Sequence, residues 1–407
     1  MKNNNNQMIS VEEAKSRVFS SFSILGSEQI AVSNAFGRVL AEDIYSRVNQ
    51  PPVAVSSMDG YAVRTIDVRT APSKLKLIGE SAAGSSFGGS VSEGQTVRIF
   101  TGAALPRGAD SIVIQENTIK HSGTVTILTS AKKGDYVRPK GLDFKKGKKL
   151  ITAGQKLNYR HLSLIAAMNV PWVNVVRKPR IAILATGSEL AMPGEINDEN
   201  QIVSSNSIGL AAFVTACGGE ALNLGIAEDK PESILKLVSQ IDTTDLLVTI
   251  GGASVGEYDL VRPVLIKKGL KIKFNKVAMR PGKPLIFGKI DKLPMFGLPG
   301  NPVSAGVTAI LFLKPVINLM LGQKLKENNF DNAFLTRDIP KNDFRQDYLR
   351  AKLASGRDGR LKVTPFLKQD SSMLATFTAS DCLILRKPAA KSLKAGSKVQ
   401  IIYLSTD

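Results

Sequence analysis

The sequence predicts a multidomain α+β chain with a central α/β three-layer domain, a β-rich inserted module and a C-terminal β-barrel-like domain. Three observations predict it. From Arg180 onward, strand-like and helix-like segments alternate, which is the pattern of a mostly parallel sheet covered by helices. Between 53 and 143, short apolar runs are separated by Gly, Ser and Pro, as in a small β module. From 327 to 407, short runs with charged turns return, as in a barrel or sandwich. A chain of 407 residues exceeds one ordinary core. Domains are therefore expected at 1–50 with 144–178 (helical, linking), 51–143 (inserted β module), 179–326 (α/β) and 327–407 (β).

Taken in chain order, residues 8–45 read as helical, with Ser10-Val-Glu-Glu13 offering a capping box. Pro51-Pro52 ends that element. The runs Lys74–Ile78, Gln95–Phe100, Ser111–Gln115 and Thr124–Leu128 read as strands, and 151–168 as helical again. Val170 to Val176 forms an apolar bridge. In the α/β part, Ile181–Ala185 is a strand, and Asn206–Cys217 is a helix stopped by Gly218-Gly219. Leu222–Ile226 is a strand, and Asp229-Lys-Pro-Glu232 a helix start with an acidic cap. The apolar run Leu246 to Ile250 has the length and β-branched content of a buried strand. A helix near 259–268, strands at 272–277 and 284–288, and a long helix from 302 complete the unit.

Composition narrows the function classes. Hydrophobic content of 43% and charged content of 22% are those of a globular chain. The apolar stretch Val303 to Leu321 is interrupted by Lys314, Pro315 and Asn318, so it reads as a buried helix and no membrane association is expected. Met1 to Gln7 form a polar lead without the apolar stretch of a signal peptide. Cys217 and Cys382 make neither a disulfide framework nor a zinc site, which points to a reducing, cytoplasmic setting. The formal charge of +19 raises a nucleic-acid reading. It is concentrated in two stretches: residues 132–149 hold eight Lys/Arg against two Asp, and 262–292 hold ten against one. Neither has interleaved aromatics, so no nucleic-acid partner is expected. An anionic small-molecule substrate and plain surface charge account for the patches equally well.

The informative loops follow strands. After Ile250 come Gly251-Gly252, Ser254 and Gly256, then Glu257 and Asp259. Glycines let backbone N–H groups approach an anion, and acids beside them can hold a cation. Alone, such a loop is more often a strand-to-helix turn. Thr186-Gly187-Ser188-Glu189 offers hydroxyls, a backbone N–H and an acid, and Ser204-Ser205-Asn206-Ser207 opens a helix. Gly297-Leu-Pro299-Gly-Asn-Pro302-Val-Ser304 fixes its backbone with two prolines and two glycines. Arg280-Pro-Gly-Lys283 adds two cations. In the β module, Asp59 precedes a glycine turn, Thr101-Gly102 opens a loop, and Arg138 and Asp143 flank Gly141. His121 and His161 are isolated and read as surface or packing residues.

Together, Met58-Asp59-Gly60-Tyr61-Ala62, Gly79-Glu-Ser-Ala-Ala-Gly84, Thr101-Gly102-Ala103 through Ala109-Asp110, Gly251-Gly-Ala-Ser-Val-Gly256 and Gly297 to Ser304 resemble, in that order, the molybdopterin molybdenumtransferases of the MoeA and gephyrin E-domain type. The resemblance spans residue 8 to the C-terminus. It implies that the α/β domain is a molybdopterin-binding domain. It also implies an elongated homodimer whose active site is shared between subunits. Its expected reaction inserts molybdate into adenylylated molybdopterin and releases AMP, with Mg²⁺ required. Functional positions carried over are Asp59, Thr101, Asp143, Glu189, Asp229 and Asp259; of these, Glu189, Asp229 and Asp259 are expected as metal ligands, because hard carboxylate oxygens suit Mg²⁺. Substrate contacts are expected from Gly187, Ser188, Ser205, Asn206, Gly251, Gly252, Ser254, Gly256, Arg138, Lys276, Arg280, Pro299, Pro302 and Ser371. Transient contact with a molybdopterin adenylyltransferase is expected too. This chain departs from the family at Val53-Ala54-Val55, at Arg280 where lysine is more usual, and at Asp370 where glycine usually precedes the serine. Two alternatives are a non-catalytic scaffold of the gephyrin type, which the short ends and absence of long linkers disfavour, and a basic nucleic-acid-binding protein.

Overall fold

The computed structural model describes residues 8–195, 198–239, 241, 243–251, 260–323 and 330–405. The chain divides into two compact units, Gln29–Val175 and Met1–Glu28 with Val176–Asp407. Residues 8–28 cluster with the α/β part, and the sequence reading grouped 1–50 with 144–178.

In the smaller unit a six-stranded sheet runs in the order Ser111–Ile114, Gly60–Val63, Gln95–Ile99, Ser73–Ser81, Thr124–Ile127, Thr118–His121. Alternate residues feed two apolar clusters, one with Val63, Leu75, Val113 and Val125, the other with Ala62, Val97, Ile99 and Ile112. Gly60 is dictated by this sheet, because a Cβ there would stand 2.1 Å from the Val113 carbonyl oxygen. A third cluster joins Leu40 and Ile44 to Phe144, Ile151, Leu157 and Ile165, from both sides of the β module.

The continuous helix expected over 8–45 is corrected: the α-helix is Val11–Phe19, capped by the Ser10 hydroxyl, and Ser27–Ala31 and Ile44–Tyr45 are strands. The Ser20 and Ser21 hydroxyls bond back to the Arg17 carbonyl, competing with helix continuation. Glu13 pairs with Arg17 instead of closing a capping box. The second helical stretch shortens to Tyr159–Ala167, where Asn158 and His161 cap reciprocally, so His161 serves the helix start.

The larger unit holds a six-stranded sheet in the order Glu220–Ala227, Arg180–Thr186, Leu246–Ile250, Leu293–Leu298, Ile286–Ile290, Leu270–Phe274. The first four strands are parallel, Ile286–Ile290 runs against them, and Leu270–Phe274 runs against Ile286–Ile290. The strand Leu293–Leu298 is one the sequence reading lacked. From Arg180–Thr186 the chain crosses to one side and then returns to Leu246–Ile250 on the other, so a topological switch point lies between these two strands. Helices Ser205–Ala216, Pro231–Val238 and Val261–Lys267 follow strands, as the alternation predicts. Asp229 does not cap the second of these: the N-cap is Lys230, without a side-chain bond.

Pro302–Met320 is apolar enough to cross a membrane, but 67% of it is buried inside the protein, which makes it a core helix. It widens to a π turn at Ala309–Leu313, just where Pro315 lacks the N–H that a regular helix would use. Beyond it, Gln346–Ser355, Leu361–Pro365, Phe330–Leu335, Lys398–Tyr403 and Cys382–Arg386 close into a five-stranded barrel, because the first strand pairs with both the second and the last. Its core includes Leu335, Ala351, Val363, Cys382, Ile384 and Ile401. Burial raises the Cys382 thiol to about 12, which keeps it an inert core residue.

Candidate functional site

Because four strands of the larger unit run parallel, the loops after Ala227, Thr186, Ile250 and Leu298 emerge at one edge. The structure ties them together. The Gly251 N–H donates to the Leu298 carbonyl at 3.2 Å. Gly251 has φ +87°, and a Cβ on it would lie 2.5 Å from the Thr186 carbonyl oxygen, so only glycine fits. Asn206, at the start of its helix, donates its side-chain amide to the Gly300 carbonyl at 2.6 Å. Asp229 accepts from the Ser188 N–H at 2.9 Å, and the Ser188 hydroxyl accepts from the Asp229 N–H at 3.2 Å. Glu189 folds back over Gly187, its carboxylate oxygens 2.6 Å from where a Cβ would stand. The Asp229 and Glu189 carboxylates thus each lie against the Gly187-Ser188 turn.

The barrel contributes to the same edge. The Asn301 amide donates to the Ser371 hydroxyl at 2.8 Å, and the Ser371 carbonyl accepts from the Val303 N–H at 3.1 Å. Ser371 so caps a helix whose own N-cap residue, Asn301, makes no side-chain cap. Ser205, Asn206 and Pro302 also line a cavity of about 650 Å³ floored by Leu210, Phe213 and Phe377. Pro299 is buried at the turn. Arg280 is held within the protein, by Asp343 at 3.4 Å, by Asn342 at 3.2 Å and by Asp347. Burial pushes the Asp347 carboxyl up against the pull of Arg280, while Arg345 draws the half-buried Asp343 down to about 2. Lys276 is half-buried, and its carbonyl accepts from the Ile9 N–H. Gly252, Ser254, Gly256 and Asp259 lie outside the described residues. Among the described residues no three acid, histidine or cysteine side chains gather as a metal cluster. The pair Glu189 and Asp229 supplies hard oxygen donors of the kind a divalent cation takes.

The smaller unit carries the second group of expected residues. Asp59 accepts from both the N–H and the hydroxyl of Thr101, each at 2.8 Å. These bonds, backbone first, hold its carboxyl below the usual range, with the Arg98 charge assisting. Arg98 itself stacks on Tyr61 and Phe100 at about 5 Å. Arg138 and Asp143 line a cavity of about 650 Å³ together with Pro51, Pro52, Ala82, Gly84 and Gly102. Four segments separate in sequence thus share one concavity.

Asn301 and Thr186 lie in the strand-end loops singled out by the sequence but were not among the expected contacts. Arg350, a lone arginine within a strand, gave no sequence signal.

The chain matches the MoeA N-terminal region (domain I and II) over residues 9–169, a probable molybdopterin-binding domain over 182–319, and the MoeA C-terminal region (domain IV) over 332–404. It is 33% identical to the molybdopterin molybdenumtransferase of Haemophilus influenzae, over 97% of this chain and 98% of that protein. It is 38% identical to the Nostoc protein of that name, over 77% of this chain and 75% of the other. Among solved structures, a molybdopterin biosynthesis MoeA protein from Pyrococcus horikosii superposes with a TM-score of 0.86 at 31% identity, covering 98% of this chain and all of that one.

Proposed function

Since the chain belongs to the MoeA family of molybdopterin molybdenumtransferases, enzymes of molybdenum cofactor biosynthesis, we propose that it inserts molybdate into adenylylated molybdopterin, cleaves the pyrophosphate and releases AMP. The observation that carries this reading is the joining of four strand-end loops, through Gly251, Ser188, Asn206 and Gly300, at the switch point of the parallel sheet. That is where α/β sheets bind phosphorylated ligands.

The chain's own residues divide the work. The turn at Gly251 brings backbone close to the ligand without a side chain in the way. Ser188 and Asn206 fix the flanking turns, so the donors are aligned before the substrate arrives. In the larger unit Arg280, Lys276 and Ser371 face the anionic end of the reaction, and Arg138 in the smaller unit supplies further charge for molybdate and phosphates. Glu189 and Asp229, with Asp259, would hold Mg²⁺, which when bound neutralises charge on the pyrophosphate. Asp59, kept ionised by Thr101, and Asp143 serve the metal-insertion end from the partner subunit of a homodimer. The exposed Phe36, Tyr159 and Trp172 of the smaller unit support such an assembly. The enzyme works in the cytoplasm, in transient contact with the adenylyltransferase that supplies its substrate.

Single-turnover release of AMP from adenylylated molybdopterin tests the assignment. Asp229→Asn and Asp259→Ala are each expected to slow it by about a hundredfold or more. Wild-type rates in both variants would sink the role given to these acids.

A further inference from the structure

Arg350 lies on the barrel strand Gln346–Ser355 and is 1% exposed. A buried guanidinium is costly unless each donor finds an acceptor. Here the acceptors all belong to one loop. Nη2 donates to the carbonyls of Asp370 at 2.8 Å and Lys368 at 3.4 Å, Nη1 to that of Met373 at 3.2 Å, and Nε to Oε1 of Gln369 at 3.3 Å. Gln369 answers by donating to the Arg350 and Phe366 carbonyls at 3.0 and 2.9 Å. The Phe366 N–H closes the loop's base on the Arg350 carbonyl. Inside the loop, the Asp370 carboxylate takes both the N–H and the hydroxyl of Ser372. Ser371 thus stands between two anchored neighbours, and its hydroxyl and carbonyl reach out to Asn301 and Val303.

We infer that Arg350 is a positioning residue: its guanidinium sets the Lys368–Met373 loop and so places Ser371 on the Asn301–Val303 turn. The inference rests on the proposed function for its link to turnover, since Ser371 is there a substrate contact. In accepting from Asn301, the Ser371 hydroxyl keeps its own proton free to donate to an oxyanion. A lysine cannot serve in place of Arg350, having one nitrogen where four acceptors need a planar fork.

The test compares the full-length protein with Arg350→Met and Gln369→Leu. Methionine keeps the side chain's bulk without its donors, and Gln369→Leu removes the loop-side partner should Arg350→Met fail to fold. Hydrogen exchange is expected to speed up by about tenfold or more in peptides spanning 366–374, with Gln346–Ser355 and Cys382–Arg386 unchanged. Arg350→Met combined with Ser371→Ala is expected to release AMP no more slowly than Ser371→Ala alone. Equal loosening across the barrel, unchanged exchange at 366–374, or additive losses in the double variant would overturn the inference. Wild-type turnover by Ser371→Ala with local loosening in Arg350→Met would instead overturn the role of Ser371 in the reaction, leaving the loop's anchoring intact.

Discussion

Asp59 shows how single residues are set for their chemistry. Its carboxylate takes two donors from Thr101, one of them backbone and so fixed by the loop. The folded-state value is depressed, so its contribution to stability is present above the ordinary Asp value and is lost as pH falls through the lowered one. Thr101→Val removes the hydroxyl donor and keeps the N–H. An NMR titration is expected to find the Asp59 carboxyl moved back towards the ordinary range in that variant; an unmoved value would show that the hydroxyl contributes nothing. The aspartate and threonine were legible in the sequence as members of two separate loops. Their direct bond was not, because 42 residues separate them.

At the scale of elements, the parallel edge depends on tight backbone approach. Gly251→Ala puts a Cβ against the Thr186 carbonyl in a left-handed backbone conformation, costing about 1–3 kcal/mol. Thermal or denaturant unfolding checks this. A second strand-end device is Asp245, whose two oxygens take Arg177 at 2.6 and 2.8 Å and the Arg180 N–H at 2.8 Å. It joins the starts of two neighbouring strands, and Asp245→Ala is expected to cost about 2 kcal/mol. The strand and helix alternation was legible because buried strands such as Leu246–Ile250 are short and largely apolar, and because helices carry start and stop residues such as Pro231 and Gly218-Gly219. Leu293–Leu298 was not, since Pro294 and Gly297 break its strand signal. The helix at Pro231 was legible but its cap was not: Asp229 turns to Ser188, a tertiary partner 41 residues away. Serines after Phe19 ended a helix that periodicity alone would have continued.

For the molecule as a whole, the order of the loops in the sequence announced the family, while the assembly of the site depended on tertiary contacts such as Asn301 with Ser371, 70 residues apart. The reading of a site shared between subunits has a direct consequence. Asp59→Asn and Asp229→Asn homodimers are each expected to be nearly inactive, and subunits mixed by denaturation and refolding to regain about a quarter of wild-type activity through heterodimers. No recovery would place both acids in one subunit's site. The central claim is tested most directly by incubating the purified protein with adenylylated molybdopterin, molybdate and Mg²⁺, then measuring AMP and molybdenum-loaded pterin together. The two products are expected to form in equal amounts; the formation of neither, or of AMP without molybdenum insertion, would contradict molybdate insertion coupled to AMP release.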